Sequence, residues 1–303
     1  MSEAPNVAII VVHFGDPAVT SACLASITAD PSPVNRTVVV VDNDSSFRGT
    51  YKGVTIVSCP ENPGFGAAVN RGIASLDGRS FDVYIVLNND IVIRPGYLQA
   101  AHEALQRSDS RTAIVAGPLF LDESSTRIWY AGGGVNFLTG TVRQGTSLKE
   151  SHLEHEVGFV PGAAFAIKPE AWTDSGGFDP SYFLYSEDVD LCLRLRRRGW
   201  RLMFDPNMVA VHSLGRTTGS QTTSPLYLYY VTRNRLRPFR PFAYRLYLAL
   251  LHSGYVPARA LLAIARNRHQ GLVQAKALLA GHRDALKELF HRQPIDVRKG
   301  DTV

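Results

Sequence analysis

Cysteine is scarce in this sequence. Only Cys23, Cys59 and Cys192 are present, with no CxxC spacing among them. An odd, scattered set gives neither a disulfide framework nor a zinc-ligand pattern, and it favours a reducing compartment. No internal repeat or low-complexity block occurs. No apolar run reaches a membrane span uninterrupted. Leu246 to Ala265 comes nearest, but His252, Pro257 and Arg259 break it, whereas a span needs about 20 mainly apolar residues. The opening MSEAPNVAIIVVHFGD has no basic n-region and no cleavage site, so a first strand is expected there rather than a signal peptide. A GxGxxG directly after the first strand is also missing. The nearest run, GFGAAV from Gly64, follows the third predicted strand and has no third glycine, which argues against a dinucleotide site.

What is present is an uneven charge. The 303 residues hold 32 Lys/Arg and 27 Asp/Glu. From Leu226 onward there are 14 basic and 4 acidic residues, leaving 18 against 23 in the rest. A mildly acidic body with a basic tail predicts that the tail faces something anionic. The composition changes after Gly215–Ser220, so residues 1–225 are expected to form one domain. Residues 226–303 are expected to form a basic, aromatic-rich helical region. Its predicted helices begin with Leu226–Arg237 and a short apolar stretch, Phe242–Leu251. A helix lying on a membrane, or packing a homo-oligomer, suits this region better than a span.

Strands and helices alternate through the body. Val7–Val12, Thr37–Val41, Val54–Ser58 and Val83–Leu87 are apolar runs of strand length, expected to be buried on both faces. A helix is expected over Thr20–Thr28, and another after Asn62-Pro63-Gly64-Phe65-Gly66. This order predicts an α/β fold with a mixed, mostly parallel sheet flanked by helices. Ligands of such sheets sit outside the C-terminal strand ends. His13, the Asp42-Asn43-Asp44 run and the Asn88-Asn89-Asp90 triplet all fall at those ends. A nucleotide is the natural ligand for that edge. Asp42 can accept from a base or ribose. Gly64 and Gly66 would let backbone approach a ligand, and the helix that follows, carrying Asn70, favours phosphate at its start. Ile114–Gly162 is expected to hold strands and a mobile loop, with His152 and His155 on the surface.

The densest chemistry lies at Gly176–His212. Aromatics at Phe178, Tyr182, Phe183 and Tyr185 lead to Glu187 and Asp188 at a helix start, with Ser186 as the expected N-cap. Asp188, Leu191, Cys192 and Leu195 share one helical face, so Asp188 points where the core points. Asp190 and Arg194, four apart on the other face, are expected to pair at the surface. Strands Arg201–Phe204 and Met208–Val211 then lead to His212.

Taken together and in this order, DNDSS, NPGFGAAVN, LNND, GGFD and YSEDVDLCLR resemble family 2 glycosyltransferases of the GT-A type, which have a Rossmann-like nucleotide-binding fold. The resemblance covers Val7 to about Arg237. It implies transfer of a sugar, with inversion, from a nucleotide diphosphate donor to a hydroxyl of a glycan or lipid-linked saccharide. Asp188 would be the base, with Glu187 beside it. Asn88-Asn89-Asp90 takes the place of the family's metal-holding DxD, with Asn88 departing from the pattern. Asp90 and His212 would then hold Mg²⁺ or Mn²⁺ against the diphosphate. The small-residue segment at Gly162 and Ala163 would lie beside the donor sugar. The subgroup looks most like bacterial rhamnosyltransferases using dTDP-L-rhamnose in cell-surface polysaccharide synthesis. Alternatives are a UDP-hexose or UDP-galactofuranose enzyme, or a non-catalytic nucleotide-sugar or glycan-binding protein. The expected setting is cytoplasmic, peripheral on the inner membrane face, with no nucleic-acid partner.

Overall fold

The computed structural model describes residues 3–124, 127–147, 152–212 and 223–291. The composition change at 215–220 and the polar end beyond residue 291 lie outside the described residues. Two compact units are present. The first comprises Met1–Phe137 and Thr141–Ser220, the second Leu138–Gly140 and Gln221–Val303.

The first unit is built on an eight-stranded sheet. Its elements begin with β1 (Asn6–His13), α1 (Pro17–Ala29), β2 (Asn35–Asp42), β3 (Val54–Ser58), α2 (Phe65–Ala74) and β4 (Val83–Asn88). After them come β5 (Ile91–Ile93), α3 (Tyr97–Arg107), β6 (Thr112–Ala116), β7 (Leu119–Phe120), β8 (Ile128–Tyr130), β9 (Gly133–Asn136) and β10 (Thr141–Gln144). The unit continues with β11 (His155–Val157), β12 (Ala164–Ile167), α4 (Pro169–Ser175), α5 (Glu187–Arg197), β13 (Arg201–Phe204) and β14 (Ala210–His212). The main sheet runs β11-β13-β6-β12-β4-β1-β2-β3. Its pairings are parallel except along β12, which runs against β4 and β6, and at the edge strand β11. The fold is thus α/β with a mixed, mostly parallel sheet, as the alternation predicts.

Position in the sheet explains the apolar runs. β1 lies between β2 and β4, and every residue after Asn6 is buried. β3 is the outer strand, so Val54–Ser58 is only half-buried, against the expectation of a fully buried strand. The middle segment, Ile114–Gly162, holds the end of β6 and all of β7 to β11, and β12 just after it lies in the sheet interior. His155 lies in edge strand β11, its Nδ1 2.8 Å from the Leu153 carbonyl and its ring 5.0 Å from that of Phe204. It is partly buried, not a surface residue, whereas His152 is exposed. Asp16 caps α1 through the Ala18 N–H at 2.8 Å, ahead of Pro17 at the first helical position.

The second unit carries α6 (Pro225–Asn234), α7 (Phe242–Arg266) and α8 (Arg268–His291). Leu228 of α6, Val256 and Ala260 of α7, and Ala275 and Leu278 of α8 form its buried core. α7 runs straight past Pro257, well beyond the short Phe242–Leu251 stretch expected. A proline inside a helix costs about 3 kcal/mol, and the packed face of α7 offsets that cost.

Candidate active site

Parallel register brings three strand ends side by side. His13 pairs with Asp42, and Val12 with Asn88. His13 is fully buried, with Nδ1 2.5 Å from Thr20 Oγ1 and Nε2 2.7 Å from Ser46 Oγ. Burial lowers its pKa, outweighing the nearby Asp44, Asp42 and Asp16 charges. The ring is therefore neutral, and it organises the loop through both nitrogens. Asp44 accepts from the Gly15 N–H at 2.6 Å and from Ser46 Oγ at 2.6 Å. Ligand atoms of His13, Asp42 and Asp44 lie within 4.8 Å of one another, a group able to hold a cation by composition. Asn43 is buried. Its Nδ2 donates to Asn62 at 3.2 Å, and its Oδ1 has no partner.

The Asn88-Asn89-Asp90 triplet splits into separate tasks. Asn88 ends β4, with its N–H held by the Ala163 carbonyl at 2.8 Å. Asn89 is buried and donates to Thr20 Oγ1 at 3.0 Å and to the Phe14 carbonyl at 3.2 Å, tying the loops after β1 and β4 together. Asp90 faces β14. Antiparallel pairing sets His212 opposite Ile91, which puts His212 Nε2 3.2 Å from Asp90 Oδ1. Both residues are buried, and neither Asp90 Oδ1 nor His212 Nδ1 finds a hydrogen-bond partner. Buried polar atoms are nearly always satisfied. Asp90 Oδ1 and His212 Nε2, 3.2 Å apart, are placed to ligate one divalent cation. Trp129 of β8 stands edge-on to His212 at 4.6 Å and fixes one side of the ring.

The acidic pair sits on a strained turn. Tyr185 and Ser186 are left-handed, with φ of 63° and 71°, a conformation that costs such residues about 1–3 kcal/mol each. Ser186 occupies the N-cap position but caps nothing with its side chain, contrary to expectation. The turn instead aims the first residues of α5 inward. Asp188 Oδ2 accepts from the Gly162 N–H at 3.1 Å and Oδ1 from the Val189 N–H at 2.8 Å. Glu187 is buried, with Oε2 unpartnered. Burial, then the Asp188 charge, raises the Glu187 pKa, and burial raises that of Asp188 against its two N–H bonds. The two N–H donors favour the negative charge on Asp188, while burial favours the protonated form of Glu187.

Three residues expected at the donor pack against the loop that leads to this turn. Asn70 donates to the Phe178 carbonyl at 2.8 Å and accepts the Phe178 N–H at 3.0 Å. Its amide is spent on backbone, so it positions the aromatic loop. Gly64 has φ of +93°, and a Cβ there would lie 2.1 Å from the Phe183 carbonyl oxygen. One on Gly66 would lie 2.8 Å from Phe178 Cβ. Close approach by the 178–183 loop accounts for both glycines.

Asp190 and Arg194 correct a second expectation. Their 2.7 Å pair is mostly buried, and Arg194 also donates to the carbonyls of Ser175 and of Gly177, the latter at 2.7 Å. The pair thus ties α5 to the turn after α4. Arg194→Ala leaves a buried carboxylate and two carbonyls without their donor, so a loss of about 3–5 kcal/mol in urea unfolding is expected. A loss under about 1 kcal/mol, the scale of exposed pairs, would return it to the surface class.

Thr20, Ser46 and Trp129 escaped the sequence reading. Ser46 lies within the DNDSS run, a signal that could have found it. Thr20 and Trp129 carry no local signal.

Comparison with known proteins agrees with this geometry. Residues 5–238 match the family described as glycosyltransferase like family 2. The N-acetylglucosaminyl-diphospho-decaprenol L-rhamnosyltransferase of Mycobacterium tuberculosis is 31% identical over 233 residues, covering 67% of this chain and 74% of the relative. Rhamnosyltransferase WbbL of Escherichia coli is 27% identical over 221 residues, covering 67% of this chain and 82% of that protein. The fold resembles the mannosyltransferase PcManGT of Pyrobaculum calidifontis, solved with GDP-Man and Mn²⁺. The TM-score is 0.54 at 17% identity, over 93% of this chain and 87% of that one. With its GT-A-like sheet and its acidic, strand-end site, this chain belongs to glycosyltransferase family 2.

Proposed function

We propose that this protein is an inverting, metal-dependent glycosyltransferase that moves L-rhamnose from dTDP-L-rhamnose to a hydroxyl of a lipid-linked saccharide. The observation that carries the reading is Asp188, a carboxylate held by the Gly162 and Val189 N–H groups beside the buried, unpartnered Glu187. Asp188 takes the acceptor hydroxyl proton as that oxygen attacks the anomeric carbon. The bond from that carbon to the diphosphate oxygen breaks on the opposite face, and the nucleoside diphosphate leaves with the electron pair. Asp90 and His212 would hold Mg²⁺ or Mn²⁺. When bound, the cation neutralises charge developing on the leaving diphosphate. His13, Asp42, Asn43 and Asp44 form the edge that receives the nucleoside, and Asn88, Gly162 and Ala163 border the sugar. Rhamnose is favoured because both relatives named above are rhamnosyltransferases. The first is named for a decaprenol diphosphate saccharide. An acceptor of that class puts this enzyme on the cytoplasmic membrane face.

A nucleotide-sugar panel read by thermal shift tests the donor, because a ligand that binds the folded state raises apparent stability. The largest shift is expected with dTDP-L-rhamnose. A larger one with UDP-galactofuranose or a UDP-hexose would replace the donor assignment. Slow donor hydrolysis without acceptor separates the enzyme from a non-catalytic binding protein. The rate is expected to fall as pH drops through the raised Asp188 pKa, because only the ionised carboxylate accepts a proton. The acid limb of kcat should therefore lie above the ordinary Asp value of about 3.9. A limb at or below that value would exclude Asp188 as the base.

A further inference from the structure

Helix α7 has two unlike faces. Val256 and Ala260 are buried in the core shared with α6 and α8, and Leu248, Ala249 and His252 are buried with them, His252 against the Thr139 carbonyl. On the other face Leu250 and Leu261 are 69% and 68% exposed, and Leu251, Tyr255 and Leu262 are exposed with them. Leu251, Tyr255 and Leu262 are four and seven residues apart, and Leu250 and Leu261 eleven, so all five lie along one side of the helix. Stripes of this kind mark interaction surfaces.

The charge around the stripe says what covers it. No Asp or Glu occurs between Asp205 and Asp284 in the sequence. The two carboxylates of α8 are already held. Tyr229 donates to Asp284 at 3.0 Å, and Arg233 and Arg237 pair with Glu288. Among the described residues, Arg240, Arg259, Arg266 and Arg268 have no anionic partner. Arg235 is half-buried, with its guanidinium 5.9 Å from the Tyr255 ring centroid. It donates to His252 Nδ1 at 3.4 Å, while His252 Nε2 donates to the Thr139 carbonyl at 2.9 Å, which leaves that imidazole neutral. Arg259 follows Tyr255 by one turn of α7, so its side chain lies on the same side of the helix that Arg235 faces. Two half-buried cations on one side of a helix, with no carboxylate at hand, are favoured by an anion that joins them.

We propose that this face docks on an anionic bilayer, with α7 lying in the interfacial plane and the Arg235–Arg259 pair seating a lipid phosphate. The proposal deepens the function above by naming the surface that meets the membrane, and it rests on that reading only for the acceptor. Among the described residues α7 is the one helix long and apolar enough to cross a membrane. Crossing would strip its inward face from α6 and α8, whereas lying flat keeps that packing and immerses only the stripe. A second copy is the poorer occupant, because it would set arginine against arginine with no carboxylate between.

The test is co-sedimentation of the full chain with vesicles of phosphatidylcholine alone or mixed with phosphatidylglycerol. Binding is expected to the mixed vesicles only, and to weaken with salt. Leu250→Glu or Leu261→Glu should each weaken it about tenfold or more, the scale of one leucine kept from burial. Arg259→Gln should weaken it about fivefold, as for one basic residue near an anionic surface. Arg266→Gln, on the exposed helix end, replaces it if the first variant fails to fold. Equal binding to both vesicle types, or none at low salt, overturns the proposal. So does vesicle binding unchanged in Leu250→Glu while a dimer of the wild type falls apart, since the stripe would then join two copies. Donor hydrolysis is measured in parallel. Vesicle binding lost with hydrolysis intact is failure of the docking surface alone. Hydrolysis absent with binding intact is failure of the catalytic reading alone.

Discussion

Asp188→Asn is expected to abolish sugar transfer while donor affinity stays within about twofold of wild type. General bases contribute about 10²–10⁴-fold to rate, and an amide cannot take the proton. The two carboxylate oxygens are not equivalent in the variant. One faces the Gly162 N–H and the other the Val189 N–H, so one amide NH₂ must meet a donor in place of an acceptor. That lost hydrogen bond costs about 1 kcal/mol, and a small drop in melting temperature should accompany the loss of rate. The two effects separate cleanly, because such a drop leaves the protein folded. Single-turnover transfer, with donor binding measured by calorimetry, is the check. More than about a tenth of wild-type turnover would remove Asp188 from the chemistry.

Asp90→Ala is expected to weaken nucleoside diphosphate binding by about tenfold or more, the scale of one charged contact. EDTA should bring the wild type down to the same affinity. Two buried atoms are left open at this pair. Asp90 Oδ1 and His212 Nδ1 are buried without hydrogen-bond partners, with the two side chains 3.2 Å apart at closest approach. A purely structural ion pair in so dry a place would be expected to satisfy both groups. His212→Ala should act in the same direction, since it removes the second ligand. Calorimetry with and without chelator decides between the readings. Equal wild-type affinity in both would return Asp90 and His212 to a structural role. Manganese titration of the apoprotein gives an independent readout that needs no turnover.

Local patterns carried the sheet and missed the turns. The continuous apolar runs of β1, β2 and β4 are legible because a strand buried on both faces needs no alternation. Val54–Ser58 carries similar residues, yet β3 lies at the edge. Which strand ends a sheet is set by pairing partners distant in sequence. Ser186 has the side chain of an N-cap but sits in a left-handed turn, where that side chain makes no cap. Pro257 reads as a helix breaker, yet α7 passes through it because its inner face is packed. In each case the fold overrode a local preference of a few kcal/mol or less.

The sequence by itself determined the chemistry available and its placement along the chain. Strand–helix alternation fixed an α/β sheet, and His13, Asp42 and the Asn88–Asp90 triplet fell at strand ends, where ligands collect. The order of the acidic motifs carried the family. Tertiary structure alone decided which of those residues are open to a ligand. Asn70 and Asn89 carry the same amide as Asn88, but they spend it on Phe178, Phe14 and Thr20. Asp190 has the same carboxylate as Asp188, but Arg194 neutralises it. Asp90 and His212, far apart in the chain, meet because β14 runs antiparallel to β5. The physical reason is that a side chain's availability depends on whether a partner reaches it first. Such partners come from strand register and from loops distant in sequence, which no local pattern encodes.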